Sequence, residues 1–109
     1  MESRLIYAAS DSLKYKVNWL KASDDTEWIY FGAGADVNKQ LAIESIYAYF
    51  PDPLLYIALT RKDSMQANRN DIDMAIDEIL GLKNFLIWDI EFKTVIEFNH
   101  IGVMRRGYI

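Results

Sequence analysis

The chain is 109 residues long, the size of one domain with one core. Hydrophobic residues make up 51% and charged residues 26%, a balance that excludes a disordered, collagen-like or low-complexity chain. There is no cysteine, which excludes a disulfide scaffold, a thiolate metal site and a thiol nucleophile, and the formal charge of -4 runs against the basic face that nucleic-acid binding needs.

The first apolar run, Leu5 to Ala9, stops at Ser10 and Asp11 and is too short for a secretory leader. Leu54 to Leu59 falls far below the roughly 20 apolar residues that span a bilayer, so the expected location is the cytoplasm, with no membrane partner. Leu5 to Ala8 suits an edge strand or a short helix. From Leu13 to Trp19, apolar and polar residues alternate with the period of a half-wet strand, although Leu13 and Val17, four apart, also fit a helix. Ser23 to Thr26 reads as a turn and Trp28 to Phe31 as a strand, which together predict a hairpin.

Gly32 to Ala35 ends that strand, and Asp36 is placed to cap a helix from Val37 to about Phe50. Its apolar positions Val37, Leu41, Ile43, Ile46, Tyr47 and Phe50 wrap most of the circumference, so the helix is expected to be covered on more than one side. Pro51 and Pro53 force a stop, and Leu54 to Thr60 follows as a continuous apolar, central strand. Arg61 to Arg69 is polar and reads as a connection. A second helix is predicted with Asn70 as cap, Asp71 and Asp73 in its first turn, an inner face of Ile72, Ala75, Ile76, Ile79 and Leu80, and Gly81 as its stop. Phe85 to Trp88, Phe92 to Phe98 and Ile101 to Arg105 predict a three-stranded meander with turns at Asp89 to Glu91 and at Asn99 and His100. The expected fold is a single α+β domain over residues 1–109. It has a mostly antiparallel sheet of about five to six strands with two helices, in an order near ββαβαβββ.

Candidate chemistry is sparse. The glycine-rich turn from Phe31 to Asp36 suggests a phosphate cradle at a helix start, yet Val37, Asn38 and Lys39 follow where a Walker motif requires Gly-Lys-Ser/Thr. His100 is the single histidine, and its spacing assembles neither a triad nor a zinc site. Asp71, Asp73 and Asp77 lack the glycine and the terminal glutamate of a calcium loop. Any two of Glu27, Asp89, Glu91 and Glu97 could still converge across strands as an acid–base pair. No catalytic, cofactor-binding or metal-binding residue is assigned, and no cofactor is expected.

Charge is unevenly distributed. Residues 23–60 and 70–91 each carry a net charge of -5, while the three remaining segments each carry +2. Joined in space, the two acidic segments make a surface that steers a basic partner. Tyrosines are favoured interface anchors, and Tyr47 and Tyr49 are candidates for that role. The predicted partner-binding residues are Asp24, Asp25, Glu27, Asp71, Asp73, Asp77, Glu78, Tyr47 and Tyr49.

The length, the cysteine-free acidic composition, the two acidic segments and the pattern closing in Asn84 to Trp88 and Phe92 to Phe98 give the chain a resemblance in type. It resembles the bacterial immunity proteins that neutralise cognate toxins of polymorphic and contact-dependent growth-inhibition systems. The resemblance implies a binding protein whose acidic side chains occupy the cationic active site of a basic, nuclease-like toxin, with no direct nucleic-acid contact. Two other readings stay open. One is a small enzyme or ligand-binding protein with a pocket beside the Gly32 to Asp36 turn. The other is a homodimer or larger regulatory assembly, favoured if Phe92 to Phe98 forms an exposed sheet edge.

Overall fold

Ile6, Ser10 and Leu13 recur at helical spacing, and residues Ser3–Leu13 form helix α1, with Ile6 and Ser10 on its buried side. The computed structural model describes residues 1–109. The strand expected from Leu13 to Trp19 is therefore mostly absent. Leu13 closes α1, Lys14–Lys16 form a 3₁₀ turn, and only Asn18–Trp19 is extended as β1. Leu13 and Val17, the pair four residues apart, both pack on the cluster around Ile6, and this contact overrides the local alternation.

Strand β2, Ile29–Tyr30, does not pair with β1. Both lie antiparallel on the same edge of the last strand, β7 (Val103–Tyr108): Trp19 opposes Gly107 and Ile29 opposes Met104. The predicted hairpin is thus one edge strand interrupted by the excursion 20–28, whose turn closes by amide bonds from Ala22 and Ser23 to the Thr26 carbonyl. Gly107 is required at this crossing, because a side chain there would run into Val17 and Trp19.

Helix α2 spans Lys39–Tyr49, and its cap is Asn38 rather than Asp36: Asn38 Oδ1 accepts the Leu41 amide at 3.1 Å. Asp36 is instead consumed by a 3₁₀ turn, Gly34–Asp36, that the backbone makes after Gly32. The predicted second helix starts later and is shorter than its pattern implies. Helix α3 is Ile72–Ile76, preceded by a 3₁₀ turn at Arg69–Asp71, with Asp71 rather than Asn70 at the cap. After Ile76 the bonds alternate between three- and four-residue spans until Gly81 turns the chain at φ +76°.

Ahead of α3 lies strand β4, Met65–Asn68, within the stretch that sequence patterning reads as a polar connection. Only Ala67 in it is buried, so it has no hydrophobic alternation to reveal it. The remaining strands are β3 (Leu54–Ala58), β5 (Phe85–Asp89) and β6 (Thr94–Asn99). The sheet is antiparallel throughout, in the order β1-β7-β6-β5-β3-β4 with β2 also on β7. The fold is α+β, with three helices and seven strands.

Residue alternation sends the two strand faces into separate cores. Leu55, Ile57, Phe85, Ile87, Ile96, Phe98 and Met104 meet Ala42, Ile46 and Phe50 of α2 and Ile72 and Ile76 of α3. On the opposite face Tyr56, Ala58, Trp88 and Val95 meet Ile6 of α1. Coverage on both faces explains why β3 is apolar without alternation. Phe92, expected to begin a strand, is a turn residue at φ +55°. It is held there by stacking on Tyr56 at 5.1 Å and by packing on Trp88, while Asp89 Oδ1 accepts the Lys93 and Thr94 amides. Strand β6 is interior, so Phe92 to Phe98 does not form the exposed edge that would favour a homo-oligomer.

Candidate functional site

The two acidic segments pack together through α2 and α3, where Lys39 pairs with Asp77, but Asp24 and Asp25 lie apart from the carboxylates of the second segment. Asp24 and Asp25 are exposed on the excursion between β1 and β2, at one edge of the sheet. Asp71, Asp73, Asp77 and Glu78 lie on α3 and the turns at its two ends, above the opposite edge. Five strand spacings separate the two edge strands, about 24 Å at ~4.8 Å each.

Glu27 has a defined role. Its Oε1 accepts from Arg105 Nη1 at 2.8 Å, and Arg105 Nε donates to Glu97 Oε1 at 2.6 Å. The guanidinium also sits between two indoles, 3.9 Å from the Trp19 ring centre and 4.4 Å from that of Trp28. Cross-strand pairing sets this up, since Glu97 is directly opposite Arg105 in the β6–β7 register. Of the four carboxylates that could meet across strands, Glu27 and Glu97 do so through Arg105, as partners of a cation. Asp89 is committed to backbone amides and Glu91 pairs with Lys93. Sequence reasoning overlooks Arg105. Its signal is a cation in the middle of an alternating strand, where a wet face needs a partner.

Tyr47 and Tyr49 are half-buried and engaged within the chain. The Arg69 guanidinium stacks 4.5 Å over the Tyr47 ring while donating to the Tyr47 and Phe50 carbonyls. Tyr49 donates its hydroxyl proton to the Gly107 carbonyl at 2.6 Å. Burial raises the Tyr49 pKa, with Arg106 pulling it down and Asp89 and Tyr108 pushing it up. Lys14 is also held above its ordinary value, chiefly by its hydrogen bond with Asp11.

The glycine turn spends its amides on its own chain. Phe31 and Gly32 both donate to the Gly102 carbonyl, Asp36 donates to Ala33, and Asn38 donates to Phe31. Gly32 and Gly102 pack back to back, each at a φ beyond +90°. His100 is in the β6–β7 turn, where its amide and Nδ1 both contact Asn84 Oδ1.

Met74 is 72% exposed and Met65 45% exposed, and both line an open groove of about 330 Å³ with Gln66, Ala67, Asn68, Asp71 and Ala75. Asp73 bonds the Met74 amide, Glu78 is exposed, and Asp77 reaches Lys39 of α2 at 2.5 Å. Met65 and Met74 escape a sequence reading because an isolated methionine beside charged residues fits either face of a helix or strand. No family model matches the sequence, and neither the curated proteins nor the solved structures contain a match. No helix is long and apolar enough to cross a membrane.

Proposed function

We propose that this chain is a binding protein that neutralises a basic, nuclease-like protein partner in the bacterial cytoplasm, in the manner of an immunity protein, and that it binds through α3. The observation that carries this reading is the grouping of Asp73, Asp77 and Glu78 around the exposed Met74, with Lys39 as the counter-cation. Carboxylates on a solvated helix face attract the lysines and arginines with which a nuclease holds phosphate, and the attraction speeds encounter. Met74 supplies an adaptable apolar contact at the centre. Asp24, Asp25 and Glu27 fall outside this surface, and Tyr47 and Tyr49 are engaged within the chain by Arg69 and the Gly107 carbonyl.

The test begins with capture from the native organism, followed by co-expression of the captured protein with and without this chain. The reading expects one basic protein that is toxic alone and harmless in the pair. Asp73→Lys combined with Glu78→Lys slows its association at least several-fold and flattens the salt dependence. A captured partner whose association ignores both salt and these reversals overturns the assignment to α3. A partner that is neither basic nor toxic overturns the inhibitor reading itself.

A further inference from the structure

The two faces of the sheet are covered unequally: α2 and α3 both pack on one, and α1 alone packs on the other. On the α1 side the strand registers set Ala58, Leu86, Glu97 and Arg105 in one row across β3, β5, β6 and β7, apolar at the β3 end and charged at the β7 end. Tyr7 and Asp11 of α1, with Lys14 just after it, form one wall of a cleft of about 230 Å³ over this row. Ala58, Leu59 and Leu86 supply its apolar surface, and Asn84 and Glu97 its remaining polar groups. Lys14 and Glu97 also border the adjoining hollow of Trp19 and Arg105, which places them at the charged end.

The polar groups of this cleft have bonding capacity to spare. The His100 amide can only donate, so the Asn84 atom it meets is Oδ1, and both Asn84 Nδ2 protons are free. Lys14 uses one of its three protons on Asp11 Oδ1 at 3.0 Å, and Asp11 Oδ2 is unpaired. Glu97 Oε1 accepts from Arg105 while Oε2 accepts from no group of the chain. The Tyr7 hydroxyl likewise has no partner within the chain. Beyond the cleft, Arg105 with Glu27 on one side and Arg4 with Glu2 beside Arg61 on the other add charge of both signs, so no net field selects a simple anion or a simple cation.

We propose that this cleft binds a free α-amino acid with a small apolar side chain. The carboxylate of the ligand takes the free protons of Lys14, Asn84 and Tyr7, and its ammonium donates to the open oxygens of Glu97 and Asp11. Its side chain lies on Ala58, Leu59 and Leu86. The volume falls below the roughly 300–1,000 Å³ of sites for drug-sized molecules, which suits a ligand this small. Free donors and free anionic oxygens beside one apolar surface match a zwitterionic head on an apolar body, whereas an amine or an acid alone leaves half of them unmet.

The α3 surface contributes no residue to this cleft, so the inference is independent of the partner-binding proposal. Titration of the isotope-labelled full chain with leucine, followed by nuclear magnetic resonance, is expected to give saturable shifts of the Asn84, Leu86 and Glu97 amides. Isocaproate lacks the ammonium, isoamylamine lacks the carboxylate and glycine lacks the apolar body; each is expected to bind at least about tenfold more weakly than leucine. Lys14→Gln keeps the stem of a part-exposed side chain and removes its charge, and it is expected to keep the melting temperature within a few degrees while weakening leucine at least about fivefold. The absence of saturable shifts with leucine overturns the site. Isocaproate or isoamylamine binding as tightly as leucine overturns the zwitterionic ligand, and glycine binding as tightly overturns the apolar subsite. Leucine binding that ignores Lys14→Gln overturns the placement of the carboxylate.

Discussion

Arg105 fastens the excursion 20–28 to the sheet, and its removal has a calculable effect. Its side chain is 21% exposed, bonded to Glu27 and Glu97 and stacked between Trp19 and Trp28. Two cation–π contacts at partly exposed positions contribute about 0.5–1 kcal/mol each. Two part-exposed ion pairs add about 0.2–1 kcal/mol each. Arg105→Ala is therefore expected to cost about 2–3 kcal/mol, and Arg105→Lys about half of that, since lysine keeps the charge and loses the planar fork. Urea unfolding followed by circular dichroism measures the global cost. Because β1 and β2 are each held by two residue pairs, part of the loss is local, and hydrogen exchange at the Leu20 amide, bonded to the Arg106 carbonyl at 2.8 Å, reports it. An Arg105→Ala variant that loses less than about 0.5 kcal/mol and keeps the Leu20 amide protected refutes the reasoning.

Ser10→Ala leaves the buried Trp88 indole N–H without its 2.8 Å acceptor and is expected to cost about 1–3 kcal/mol, read by chemical denaturation. Gly102→Ala forces a side chain into φ +93° with its Cβ 2.6 Å from the Gly32 backbone; it should lower the melting temperature by more than Gly34→Ala, whose position is open. Tyr49 has a raised pKa in the folded state, so its contribution to stability is complete below its ordinary value of 10.0 and is lost as the pH climbs through the higher folded value. Lys14, raised from 10.5, acts in the same direction. Stability measured across that alkaline range should therefore fall, and Tyr49→Phe should fall less steeply; an equal slope refutes the assignment to Tyr49.

The acidic grouping on α3 depends on how that helix is seated. Ile72 and Ile76 are fully buried against the sheet, which turns Asp73, Met74 and Asp77 away from it. A five-residue helix has no stability of its own, so the charge display persists only while those two isoleucines hold it.

Features that depend on near neighbours are legible in the residue pattern. The meander β5–β6–β7 follows from alternation and short turns, the stop after Tyr49 from Pro51, and the inner face of α3 from the spacing of Ile72 and Ile76. The α+β class and the antiparallel sheet follow from the same signals. Tertiary structure decided the rest, because the deciding contacts join residues far apart in the chain. Trp19 pairs with Gly107 and Ile29 with Met104, so the apparent hairpin became a broken edge. Arg105 found Glu27 across 78 residues, which removed Glu27 from the acidic surface. Strand β4 formed because β3 offered an unpaired edge. Local preferences amount to tenths of a kcal/mol per residue, whereas burial of a side chain or completion of a ladder contributes about one or more. Where the two disagree, the distant contact wins.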